Sequence, residues 1–163
     1  MSLPGWNILL RGVMAGAYIG MGAVLMIIVS TGVAGTLGDG MARLVMGLVF
    51  PLGLILIVLT GAELFTGDAM LAPFAAFTDK TGWLPVIRLW TLSYIGNIIG
   101  ALGFAYLVTA SVLLHPGPDG IIATEFAVSM VMFASERCSY PGIFGLFSCF
   151  LKAVAAGWLL NLA

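Results

Sequence analysis

Few residues in this 163-residue chain carry reactive or charged groups, because only 8% are Asp, Glu, Lys or Arg. The cluster most able to do chemistry reads Thr60-Gly61-Ala62-Glu63-Leu64-Phe65-Thr66-Gly67-Asp68, directly after an uncharged run from Leu44 to Ala62. A carboxylate at the end of such a run is a candidate functional group, because holding it inside a bilayer is costly. Two roles are open to Glu63: it faces a substrate path, or it holds a break in the chain by accepting backbone N–H bonds. The Thr66 hydroxyl can donate to a passing anion. Alternatively it caps a helix that starts after the break, as the Asp68 carboxylate also can. Gly61 and Gly67 bracket the segment, and Pro51 upstream removes a helical hydrogen bond. The expected element is an interrupted helix, tolerated at membrane depth only where it lines a cavity or is buried in protein. In transporters such breaks form the substrate site. Phe50 and Leu54 lie one helical turn apart and share a face, either as an apolar constriction or as ordinary packing.

The elements that must position these groups follow from composition. Hydrophobic residues make up 61% of the chain and its mean hydropathy is +1.16. A soluble domain carries about 25% charged residues, so a soluble globular, disordered or collagen-like chain is excluded. A net charge of -1 provides no basic field for nucleic acid. What remains is an all-α, polytopic membrane protein. Charge-free runs cover Gly12 to Gly38, Leu44 to Ala62 and Leu89 to Leu114. At about 1.5 Å per residue each crosses a hydrocarbon core of about 30 Å. Spans are expected at about 9–33, 42–62, 87–113 and 146–163, the last incomplete, within a single transmembrane domain. The long connection opens with His115-Pro116-Gly117-Pro118-Asp119-Gly120, a strong breaker, and Ile121 to Ser135 is expected to form a short interfacial or re-entrant helix.

Other residues are read more plainly. His115 is expected to be an exposed loop residue. Cys138 and Cys149 match no metal or redox spacing and are expected to be small buried hydrophobes. No charged region precedes the first apolar run, so the first span is expected to direct insertion without a cleaved signal. No nucleophile–base pair, metal set or phosphate loop is visible, so neither an enzyme nor a cofactor site is expected. Gly12, Gly16 and Gly20, and again Gly96 and Gly100, recur every four residues, the pattern of close helix packing in lipid. Arg11, Lys80 and Arg88 fall on one side of the alternating spans and Arg43 and Arg137 on the other, which puts the N-terminus in the cytoplasm.

An internal repeat adds to this. Leu10-Arg11-Gly12-Val13-Met14-Ala15-Gly16 is matched by Leu151-Lys152-Ala153-Val154-Ala155-Ala156-Gly157, 141 positions later. Three spans separate the copies, so the second unit inserts upside down, as in many transporters. Lys152 then opens its span at the interface, as Arg11 is expected to do. The 11 residues after it reach only about 16 Å, and the chain is expected to stop inside its fourth span.

The sequence resembles the formate/nitrite transporters. The resemblance rests on Gly61-Ala62-Glu63-Leu64-Phe65-Thr66-Gly67, on Phe50-x-x-Gly53-Leu54, and on Tyr94-Ile95-Gly96-Asn97. It also rests on the Arg137-to-Pro141 string and the segment from Phe150 to Ala163. It covers essentially the whole chain and looks closest to the formate branch. It implies an inverted-repeat, aquaporin-like channel fold of six spans, of which the chain holds three and part of the fourth. It further implies a homopentamer in the inner membrane with one pore per protomer, permeated by formate, nitrite or hydrosulfide. By the motif, Leu64, Phe65 and Thr66 form the loop that interrupts span two, and Phe50 and Leu54 line apolar constrictions. Glu63, Asp68 and Asn97 are structural or gating polar groups, and Arg137 is the vestibule cation. Asp68 stands where the family usually has Asn, Gly157 stands where many members have Asn, and the central histidine of spans five and six is missing. Two other readings compete: a truncated, non-transporting fragment, and a membrane subunit of a formate-handling enzyme.

Overall fold

The computed structural model describes residues 3–110, 114–117, 120–123 and 125–162. Helix α1, Gly5–Ser30, is followed by the short α2, Val33–Leu37. Next come α3, Asp39–Val49, α4, Pro51–Thr60, and α5, Phe65–Phe77. The long α6, Trp83–Val108, leads to strands β1, Leu114–Gly117, and β2, Gly120–Ala123, which pair antiparallel. Helices α7, Glu125–Cys138, and α8, Gly142–Leu162, complete the order. Among the described residues, three segments are long and apolar enough to cross a bilayer: α1, the combined α3–α4 stretch from Asp39 to Thr60, and α6.

The largest interface joins α1 and α6, and glycine makes it possible. A Cβ on Gly12 would lie 3.0 Å from the Ser93 carbonyl oxygen, and one on Gly96 would lie 2.7 Å from that of Leu9. Gly16 meets the Asn97 carbonyl and Gly100 the Val13 carbonyl more closely still. Without hydrophobic drive between helices in lipid, such close backbone approach is what holds them. Gly5 meets Arg88 and Leu92, Gly12 meets Gly96, and Gly20 meets Phe104. Positions rise together, so α1 and α6 run parallel and both begin at the same end. Ala15 and Ser93 are fully buried along this seam.

The intervening chain returns antiparallel. Gly53 on α4 fits against the Tyr18 carbonyl and Gly22 on α1 against that of Phe50. Pro51 divides α3 from α4 without breaking the path: Phe50 keeps helical angles, and its N–H bonds the Met46 carbonyl at 3.0 Å.

Several sequence expectations shift. α1 starts at Gly5 rather than near residue 9, so Arg11 lies six residues into the helix, about 9 Å from its start. The region expected as helix from Ile121 instead enters β2, and α7 starts at Glu125. α8 starts at Gly142, ahead of residue 146, and spans 21 residues, about 31 Å. Lys152 therefore lies inside α8, 5.1 Å above the Tyr140 ring, rather than at its start. Cys138 is exposed rather than buried and Cys149 is half-buried; both are free. His115 belongs to β1, and its side-chain exposure lies outside the described residues.

Candidate functional site

The site is the gap between α4 and α5, and glycine geometry creates it. Gly61 adopts φ +65°, a left-handed conformation that favours glycine. The Ala62 N–H then bonds the Ile57 carbonyl at 3.1 Å and the Gly61 N–H bonds that of Val58 at 3.4 Å. This pair of bonds is the Schellman closure of a helix C-terminus. Residues 61–64 cross the gap without helical structure, and the chain resumes helix at Phe65 after an extended Leu64.

The new helix start has no cap of its own: neither Thr66 nor Asp68 provides a side-chain cap bond. The partner comes from α6. Asn97 Oδ1 accepts the Phe65 N–H at 3.0 Å, while Asn97 Nδ2 donates to the Glu63 carbonyl at 3.0 Å and the Gly12 carbonyl at 2.9 Å. One amide thus ties the gap to both α1 and α6. A second tie comes from α1: Arg11 Nη1 lies 3.6 Å from Glu63 Oε1 and donates to the Gly61 carbonyl at 3.4 Å. A third comes from Trp90, whose Nε1–H donates to the Asp68 carbonyl at 3.1 Å. The Phe65 ring meets Tyr94 edge-on at 5.2 Å.

These contacts position the residues singled out by sequence. The Glu63 carboxylate is paired with Arg11, and it is the Glu63 carbonyl, not its carboxylate, that meets Asn97. Leu64, Phe65 and Thr66 are all half-buried, with the gap formed by 61–64 and with Phe65 and Thr66 in the first turn of α5. Asp68 is 9% exposed, with the Glu63 and Ser93 side chains alongside. Thr66 Oγ1 and Asp68 Oδ2 are buried and have no hydrogen-bond partner among the described residues. Phe50 and Leu54 are half-buried on one face at the α3–α4 junction. Leu54 precedes Gly61 by seven residues, about 10 Å along the helix. Arg137 lies in α7, and its side chain is outside the described residues.

Sequence reasoning missed the pairing of Arg11 with Glu63 and the anchoring role of Trp90. The signal for the first was present. Each is a lone charge bordering an apolar run, and the two have opposite sign, so each relieves the cost of the other in lipid. Among the described residues, no group of three His, Cys, Asp or Glu side chains is placed to hold a metal ion.

Comparison with known proteins gives a consistent result. The family model for "Formate/nitrite transporter" matches residues 1–163. The chain is 32% identical over 165 residues to the "Probable formate transporter" of Methanothermobacter thermautotrophicus, covering 98% of this chain and 60% of the relative. It is 39% identical over 148 residues to the "Formate channel FocA" of Escherichia coli (strain K12), covering 91% of this chain and 47% of the relative. It is 32% identical over 113 residues to the "Formate-nitrite transporter" of Plasmodium falciparum, covering 63% of this chain and 35% of the relative. The chain therefore spans about half the length of the curated relatives it matches.

Proposed function

Because the chain belongs to the formate/nitrite transporter family, we propose that the whole protein carries small monovalent anions, formate first among them, across a membrane. The observation that carries this reading is the interrupted helix at 61–64, pinned to α1 and α6, with the Thr66 hydroxyl buried beside it and without a partner among the described residues. A buried hydroxyl lacking a partner is a costly arrangement unless something visits it. A small anion or its conjugate acid meets that need.

The physical obstacle is the charge. Moving a bare carboxylate through an apolar constriction costs far more than moving the neutral acid. Low dielectric favours the uncharged form of a weak acid as it enters. In this reading Phe50 and Leu54 narrow the path, and Leu64 and Phe65 shape it at the gap. Thr66 donates to the carried species, and Glu63, Asn97 and Asp68 keep the backbone of the gap in place. Arg137 gathers anions at one mouth. The protein acts as a transporter rather than an enzyme. It sits in the inner membrane with its N-terminus in the cytoplasm and assembles as a homopentamer with one pore in each protomer.

The test is uptake of labelled formate into liposomes containing the whole natural protein. Wild type takes up formate; Thr66→Val lowers the initial rate at least tenfold, and Thr66→Ser retains most of it. Equal rates in Thr66→Val and wild type remove Thr66 from the pathway. No uptake by wild type removes the transport reading and favours a membrane subunit of a formate-handling enzyme.

A further inference from the structure

A cleft of about 410 Å³ opens at the end of the molecule where α1 and α6 both begin. Leu3 and Ile8 line one wall, Leu84 and Leu89 the other; Arg88 stands in it, and Glu63 of the interrupted segment is also part of its lining. The cleft thus reaches the gap at Glu63. We propose that Arg88 is the anion-collecting group of this cleft, binding a small carboxylate or similar monovalent anion before it reaches residues 61–64. This inference rests on the transport reading above and adds a residue and a mouth to it.

Charge balance singles out Arg88. Two guanidinium groups lie near the cleft, and Glu63 neutralises one of them, Arg11. Arg88 has no carboxylate within 4.0 Å among the described residues, and its guanidinium packs against Gly5 at the start of α1. α1 and α6 each contribute a further positive influence here. Both are 26 residues long, and neither has a side-chain cap or an acidic residue in its first turn. An uncompensated helix N-terminus carries about half a positive charge. Leucine and isoleucine walls keep the surroundings poorly polarisable, so the field of these groups is focused into the cleft rather than screened. A site with a guanidinium that no carboxylate contacts, two helix starts and apolar walls suits a small monoanion.

Two measurements on the whole natural protein in vesicles of zwitterionic phosphatidylcholine test this. The first is the concentration dependence of formate uptake. Arg88→Gln is expected to raise KM about five- to tenfold at low ionic strength with kcat little changed, Arg88→Lys to restore most of the loss, and added inert salt to narrow the difference. The second needs no transport: quenching of tryptophan fluorescence by iodide against quenching by neutral acrylamide. Trp6 and Trp83 are exposed at this end of the chain. Arg88→Gln is expected to weaken iodide quenching at least twofold and leave acrylamide quenching unchanged. Unchanged iodide quenching in Arg88→Gln overturns the proposal, as does a loss confined to kcat. Should wild type carry no formate while the iodide effect persists, the anion site stands and the transport reading falls. If the iodide effect appears only when anionic lipid is absent, Arg88 holds a headgroup instead and the proposal is overturned.

Discussion

Asn97 shows how much of the site depends on one side chain. Its amide has one acceptor and two donors in use, directed at three backbone groups on two other segments. Leucine at this position is similar in size and satisfies none of them. Alanine leaves the Phe65 N–H without its cap and two carbonyls short of a donor. Each hydrogen bond contributes about 1 kcal/mol, and an unpaired buried group costs more. Asn97→Ala is expected to lower stability by about 2–3 kcal/mol, read as a fall in the thermal unfolding midpoint in detergent, with slower formate uptake. Asn97→Asp keeps the acceptor and loses both donors, so it is expected to fall between the two. A midpoint for Asn97→Ala equal to that of wild type would contradict this account. The Arg11–Glu63 pair works differently. With Arg11 41% exposed and Glu63 23% exposed, its attraction is partly screened, and its main effect is to fix where the gap sits beside α1.

At the scale of elements, the parallel seam between α1 and α6 depends on the absence of side chains. Gly100 approaches the Val13 carbonyl so closely that no Cβ fits, whereas Gly103, three residues on in the same helix, has nothing within 4 Å. Gly100→Ala is therefore expected to cost about 1–3 kcal/mol through forced separation. Gly103→Ala is expected to be neutral or mildly stabilising through helix propensity. Unfolding of the two variants side by side checks it, and equal midpoints would show that the seam is looser than described. Much of this layer could be read in the chain. The four-residue glycine spacing marked the close faces, and the Gly61 stop before Glu63 marked the gap. Other features could not be read there, for identifiable reasons. The cap on Phe65 comes from a residue 32 positions away, so local rules pointed to Thr66 and Asp68 instead. The depth of Arg11 was hidden because the first span is expected from about residue 9, whereas α1 begins at Gly5, directly after Pro4. The β1–β2 hairpin lies in a stretch whose Pro and Gly residues signal breaks without saying what lies between them.

At the scale of the whole molecule, the charge distribution has a direction. Arg88, the starts of α1 and α6, and the turn carrying Lys80 share one end, while Arg43, on α3, follows the end of α1. If the carried species crosses the apolar stretch as the neutral acid, flux follows the protonated fraction rather than total concentration. Lowering the pH on the supply side, well above the acid's own pKa, is expected to raise the initial rate about tenfold per unit. The pKa of a weak acid such as formic acid lies far below neutrality, so the neutral form is scarce at neutral pH and increases as pH falls. A permanently ionised anion of similar size is expected to show no such slope. A formate rate independent of external pH would mean that the ion itself passes.

The three bonds on Asn97 have a mechanical consequence. They join the two edges of the gap, at Glu63 and Phe65, through one side chain that is itself seated on the Gly12 carbonyl. A fastener of this kind does not loosen by degrees. Sliding the segment away from α6 by a hydrogen-bond length severs the Asn97 bonds to both edges at once, so these two bonds are lost together rather than in turn, while Arg11 still holds Glu63 and the Gly61 carbonyl from α1.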